Sequence, residues 1–309
     1  MFRRTSRRGA TPPPLGGGSP TSSHRLAFVD SLPKAPSTDS GLGSSGKLEL
    51  RDQKFSGDVA GGAFVNRLFV RLVAKGHRFS KVDFRYCTFD ASYLRNCVFD
   101  DCDFTGCRFV STNFHGSTFT GCRFDYATFE KTDIDEDILS SGCPATENLK
   151  IRFARSLRVN YQQLGNAAAV NKAIAVELDA TRIHLYKSWR SNESYYRKKY
   201  ARERRVVQFF RWLRFKILES IWGNGESTWK LLRAVVVVWV VIAVIDVQAF
   251  GDPHLIVSYV RAFAVAPVIF LGVAVPSAYP ASYAAAILFI RLAFFGLFMA
   301  IVIKRFNRR

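Results

Sequence analysis

The chain has 309 residues, 44 Lys plus Arg against 25 Asp plus Glu, a formal charge of +19, and 27 Phe against two Met. That length makes room for two or three structural units. Its five His show no pairing at ligand spacing, and no P-loop, GxSxG or HExxH is present, which excludes the common catalytic sites; no enzyme, cofactor, metal or catalytic residue is expected.

Residues 1–46, with RRTSRRGATPPPLGGGSPTSS, are rich in Arg, Pro, Gly and Ser and read as a disordered basic tail, because nothing in them can bury a core. The Arg pairs precede no apolar h-region, so they do not make an export signal. Residues 47–76 are expected to form an N-terminal cap. Within them AFVNRLFVRLVAK (63–75) puts Phe64, Leu68 and Leu72 on one helical stripe, with Gly76 as a stop. A short amphipathic helix there would cover the open end of the array that follows.

Residues 77–140 hold that array. A large apolar residue recurs every five positions: Phe79, Phe84, Phe89, Leu94, Phe99, Phe104, Phe109, Phe114, Phe119, Phe124, Phe129 and Ile134. Two residues before each centre, except at His77, the side chain is small or β-branched, and five of the six cysteines (Cys87, Cys97, Cys102, Cys107, Cys122) sit there. A period of five matches neither a helix nor a strand, so each fifth residue must face a shared core in a repeating coil. Evenly spaced cysteines lack the paired spacing of a zinc site and read as small buried hydrophobes. Reduced thiols fit a cytosolic setting.

This pattern resembles the pentapeptide-repeat family. The resemblance implies a right-handed quadrilateral β-helix with one pentapeptide per side, about twenty residues per coil and three coils, stacked at about 4.8 Å. Cys87 would stack on Cys107 and Cys102 on Cys122. Some soluble members of that family imitate duplex DNA to protect gyrase, which needs a long acidic rod. Here residues 77–135 carry nine acidic and seven basic side chains, and three coils span only about 15 Å. No nucleic-acid role is expected.

Residues 141–228 turn helical. TENLKIRFARSLRVNYQQLG places Leu149, Phe153 and Leu157 on one face and ends at Gly165; Asn166 then caps a second helix carrying Val170, Ile174, Leu178 and Ile183. An α-helical hairpin is expected. Residues 150–216 hold 17 Lys plus Arg against four Asp plus Glu. Leading directly into apolar sequence, this basic region is expected to meet the anionic headgroups of membrane lipids.

Residues 229–309 form the expected membrane domain, with apolar runs at 231–250, 255–275 and 281–303. Basic residues crowd before the first run and after the last, which places both flanks, and the N- and C-termini, on the cytoplasmic side of a plasma (inner) membrane. An even number of crossings is then required. The middle run contains Arg261 and Pro267 between short connectors, so it is expected to re-enter while the outer runs span. Two charges lie in the spans, Asp246 and Arg291; they read either as a buried pair or as a pore charge.

Helix, re-entrant segment, helix resembles the two-helix pore-loop ion channels that end some bacterial pentapeptide-repeat proteins. The matching stretches are WGNGES (222–227), the middle run, and GLFMAIVIKRF (296–306). The resemblance implies a homo-oligomeric pore, with Gly272, Ser277 and Tyr279 as pore-loop candidates. A potassium-type TVGYG filter is absent; FLGVAVPSAYP (270–280) stands in its place. The other reading is a membrane-anchored interaction module without transport, whose repeat domain binds an unidentified protein.

Overall fold

The computed structural model describes residues 46–200 and 203–306, so the tail expected over residues 1–46 lies almost wholly outside the described residues. Nine short strands come first: β1 (Leu48–Arg51), β2 (Val59–Ala63), β3 (Arg67–Val70), β4 (Arg78–Asp83), β5 (Thr88–Asp90), β6 (Val98–Asp100), β7 (Arg108–Val110), β8 (Thr118–Thr120) and β9 (Thr128–Glu130). The odd-numbered strands stack into one parallel sheet and the even-numbered ones into another. Single bridges, such as Tyr93 with Asn113 and Asp103 with Arg123, hold the two remaining sides. The result is a four-sided β-solenoid of about four turns.

The five-residue period dictates this shape directly. Each turn consumes twenty residues, so Phe89 pairs with Phe109 and Phe109 with Phe129. Their rings stack at 5.3 and 5.1 Å, with Phe69 above Phe89 at 4.9 Å. The ladder Phe64, Phe84, Phe104, Phe124 runs beside it at 5.5, 5.2 and 5.0 Å. Adjacent ladders meet edge to face, as with Phe109 and Phe114 at 5.3 Å, the geometry that aromatic quadrupoles favour. All twelve predicted centres are buried. To turn each corner the chain enters the left-handed region every fifth residue from Gly61 to Lys131. Several corners are not glycine, including Tyr86, Ala91 and Ser111, and each costs about 1–2 kcal/mol that the inter-coil ladder must offset.

The small position does more than fit. Its side chain donates to the carbonyl 23 residues earlier: Cys87 Sγ to Phe64 O at 2.8 Å, Cys107 Sγ to Phe84 O at 2.9 Å, Thr112 Oγ1 to Phe89 O at 3.2 Å and Ser117 Oγ to Leu94 O at 2.6 Å. A short side chain carrying a donor adds a bond to a carbonyl of the preceding coil, as at Phe84 O, which also accepts from Cys87 N at 3.1 Å, and this favours Cys, Ser and Thr at these sites.

The helix expected over residues 63–75 does not form. The solenoid begins earlier, with β1 to β3 in place of the cap, because Val59, Phe64, Phe69 and Ala74 continue the five-residue register and are buried. A spacing of 64, 68, 72 satisfies a helix, but left-handed corners at Gly61, Asn66, Arg71 and Gly76 satisfy the coil. The first coil is one residue shorter than the rest. Leu48 pairs with Arg67, nineteen residues on, and the apolar residues Phe55 and Val59 are buried four apart.

At the other end α1 (Ile138–Ser141) and α2 (Glu147–Gln163) close the solenoid. Phe153 of α2 packs on Phe124 and Phe129 at 5.7 and 5.8 Å. Ser156, Asn160 and Gln163, spaced four and three apart on one helical face, meet the free edge of the last coil. They accept hydrogen bonds from the backbone N–H of Phe129 (2.9 Å), Thr132 (2.7 Å) and Lys131 (3.0 Å), and Asn160 Nδ2 donates to Thr132 O at 2.7 Å. An open strand edge is thereby paired by side chains. The hairpin is completed by α3 (Ala167–Arg190), capped by Asn166, whose side chain accepts from Ala169 N at 3.0 Å. Then follow α4 (Ser194–Lys199), α5 (Glu203–Trp222), a 3-10 turn (Gly223–Gly225), α6 (Thr228–Phe250), α7 (Ile256–Leu271) and α8 (Ala281–Phe306).

Candidate membrane-embedded site

Helices α6 and α8 are long and apolar enough to cross a bilayer; α7, with 16 residues, is shorter. Side chains at both ends tie α6 to α8. Before α6, Glu226 forms an ion pair with Lys304 near the end of α8. At the opposite end Tyr279, just before α8, donates its hydroxyl to Asp246 Oδ1 at 2.6 Å, and its ring lies 5.0 Å from that of Phe250 at the close of α6. The two helices therefore run antiparallel, with the start of α6 and the end of α8 together.

Residues 251–280 leave from one end of this pair and return to it. Near their departure Gln248 Nε2 donates to Tyr259 Oη at 3.2 Å. Helix α7 then packs Ala262, Ala266 and Ile269 against Ile242, Ala243 and Val247 of α6, small residues allowing a close approach. It stops at Gly272, whose φ of +74° gives a left-handed cap. There Arg291 Nη1 donates to Leu271 O at 2.7 Å. Arg291 lies ten residues into α8, about 15 Å from its start. The chain then climbs back through the exposed Ser277 to the buried Tyr279.

The pairing of Asp246 with Arg291, one of the two expected readings, is not present. Asp246 sits a turn from the end of α6, level with Tyr279, while Arg291 lies nearly three turns deeper. Each charge has a local partner instead: a phenol for Asp246, and for Arg291 an end carbonyl of α7 that no helical N–H reaches. A Cβ at Gly272 would fall 1.8 Å from Arg291 Nη1, so a larger residue there displaces the guanidinium, and the φ of +74° adds backbone strain. A cavity of about 270 Å³ adjoins it, lined by Ile269, Gly272, Val275, Ala284, Leu288 and Arg291. Of the three pore-loop candidates, Gly272 and Tyr279 thus have definite structural roles.

Two further contacts carried no signal in the sequence. Glu226 and Lys304 are 78 residues apart and belong to no periodic pattern. His184, on α3, lies between two phenols, with Nδ1 3.2 Å from Tyr196 Oη and Nε2 3.4 Å from Tyr200 Oη. Burial first, and Lys199 second, hold its pKa below the ordinary value.

The solenoid interior is filled by rings and thiols. Burial pushes the Cys87 thiol up to about 11 and that of Cys107 well above its usual value, so neither is a reactive thiolate at neutral pH. No cluster of three His, Cys, Asp or Glu suited to a metal occurs among the described residues.

Against known proteins, residues 75–118 and 95–138 match the family described as pentapeptide repeats (9 copies). No curated protein matches the chain. Among solved structures, a pentapeptide repeat protein from the Arabidopsis thaliana thylakoid lumen is 16% identical, with a TM-score of 0.24, over 32% of this chain and 80% of its own. QnrB1, a plasmid-mediated fluoroquinolone resistance protein, is 20% identical, with a TM-score of 0.16, over 29% of this chain and 54% of its own; the match thus spans about half of that structure. Residues 75–138 of this chain are pentapeptide repeats, and the β-solenoid is the fold that they build.

Proposed function

We propose that the chain is an integral membrane protein of pore-loop plan, assembling as a homo-oligomer around a conducting path, with its solenoid on the cytoplasmic side of a plasma (inner) membrane. In this reading α6 and α8 span, α7 enters from the far side and turns back near mid-depth, and both termini are cytoplasmic. The observation that supports it most is the placement of residues 251–280, which begin and end at one end of the α6/α8 pair and reach Arg291 at their deepest point. Within a bilayer, a return of this kind is tolerated only where protein or water shelters its backbone. Basic residues beside Glu226 and Lys304 support a cytoplasmic location for that end.

The second reading, a membrane-anchored interaction module without transport, is favoured by Arg291. Its guanidinium occupies the position where a filter would start and is already used to cap α7. Cysteine accessibility from residue 255 to 280 tests the common part: both ends must be reachable from the far side. Access to the two ends from opposite faces makes α7 a third crossing and removes the pore-loop plan. Planar-bilayer recording of purified protein separates the two readings. Conductance in an assembly larger than a monomer supports the pore; electrical silence under every ion gradient leaves the anchored module.

A further inference from the structure

Helix α5 has two unlike faces. One is fixed to the hairpin: Phe209 and Trp212 lie 5.2 and 5.4 Å from Trp189 of α3, and Gln208 beside them is buried. The other carries Val206, Phe210, Leu213 and Ile217, spaced four, three and four apart, which places them on one stripe. These four are 36–61% exposed, and nothing among the described residues covers them. Arg211 and Arg214 flank the stripe, are exposed, and have no ion-pair partner among the described residues. Five residues separate the end of α5 from α6, whose second residue, Trp229, is 77% exposed.

An isolated exposed apolar residue needs no explanation, but a continuous stripe does. Its bordering cations point to an anionic occupant, its continuity with a spanning helix puts the bilayer surface within reach, and Trp at such a boundary is typical of a headgroup-level anchor. We propose that α5 lies in the cytoplasmic headgroup region, with Val206, Phe210, Leu213 and Ile217 in the acyl boundary and Arg211 and Arg214 against anionic lipid phosphates. The inference rests on α6 and α8 spanning the bilayer, and it adds a separate, in-plane contact that would hold the solenoid at a set distance from the surface.

The full chain, reconstituted in nanodiscs of phosphatidylcholine with or without phosphatidylglycerol, tests it through spin labels at Phe210→Cys, at Glu219→Cys on the opposite side of α5, and at Val240→Cys within α6. The expected result is a label at 210 about 5–10 Å below the phosphates, a label at 219 in water, and a label at 240 in the acyl core. Replacing Arg211 and Arg214 by Gln should abolish the dependence of the 210 depth on phosphatidylglycerol. Water exposure at 210 with 240 in the acyl core overturns the proposal alone. Water exposure at both overturns the membrane reading beneath it. Strong dipolar coupling between 210 labels of neighbouring copies, without lipid contact, gives the stripe to a second copy of the chain and also overturns it.

Discussion

Replacing Asn160 by Leu separates the two jobs of α2, apolar cover and edge pairing. Leu keeps the volume, so the contact of Phe153 with Phe124 and Phe129 remains. What disappears is the pair of hydrogen bonds to the N–H and C=O of Thr132, both groups buried beneath the helix. A buried backbone group left without a partner costs about 1–3 kcal/mol, so the pair costs about 2–6 kcal/mol. At 1.4 kcal/mol per factor of ten, about 3 kcal/mol is roughly a hundredfold in local opening. Hydrogen exchange of the full chain in nanodiscs reads this directly. Amides of β9 and residues 131–133 should accelerate about a hundredfold, those of β7 less and those of β5 little, because each coil of a solenoid leans only on its neighbours. Gln163→Ala removes a bond at an exposed site where water takes over, and should stay within about 0.5 kcal/mol. Equal acceleration along the whole solenoid, or none at residues 129–133, would refute the argument that side chains of α2 pair the last edge.

Phe109→Ala, in mid-stack between Phe89 and Phe129, should destabilise the solenoid by about 3–5 kcal/mol, seen as earlier protease cleavage within residues 88–130 across a denaturant series. Gly272→Ala should push Arg291 off Leu271 O and fray the last turn of α7; faster modification of a cysteine placed at Leu271 measures it, and an unchanged rate contradicts the close approach. His184 is held below its ordinary pKa, so its contribution to stability is complete above about pH 6.5 and falls as pH drops through the lowered folded value. Protection of the α3–α4 junction against hydrogen exchange, taken relative to the unstructured rate at each pH, should therefore fall from pH 7 to 5, and His184→Gln should flatten that dependence. The buried thiols of Cys87 and Cys107 should resist maleimide in the native protein and react fully in denaturant.

The array was legible because each of its residues repeats one local instruction. A large apolar centre, a small donor two residues before it and a left-handed corner recur every twenty residues in the same stack, so pattern alone sets core, register and pairing. The two long apolar helices were legible for a similar reason, since hydropathy over a helix length is additive along the chain. Where a second period fitted the same residues, sequence misled: Phe64, Leu68 and Leu72 read as a helix, and the coil won because Val59, Phe64 and Phe69 extend ladders that start far along the chain. Partner choice lay further out of reach. Asp246 and Arg291 are opposite charges in neighbouring apolar helices, yet their positions along those helices assign one to Tyr279 and the other to Leu271 O. The stripe on α5 was written in its spacing, but a stripe becomes a surface only when its opposite face is shown to be taken. By itself the sequence determined which residues face inward in the repeat and which runs suit lipid, because both follow from local periodicity and transfer energy. Only the tertiary structure decided which ends meet, how deep each charge lies and which apolar face remains uncovered, because those depend on contacts between residues that no local period connects.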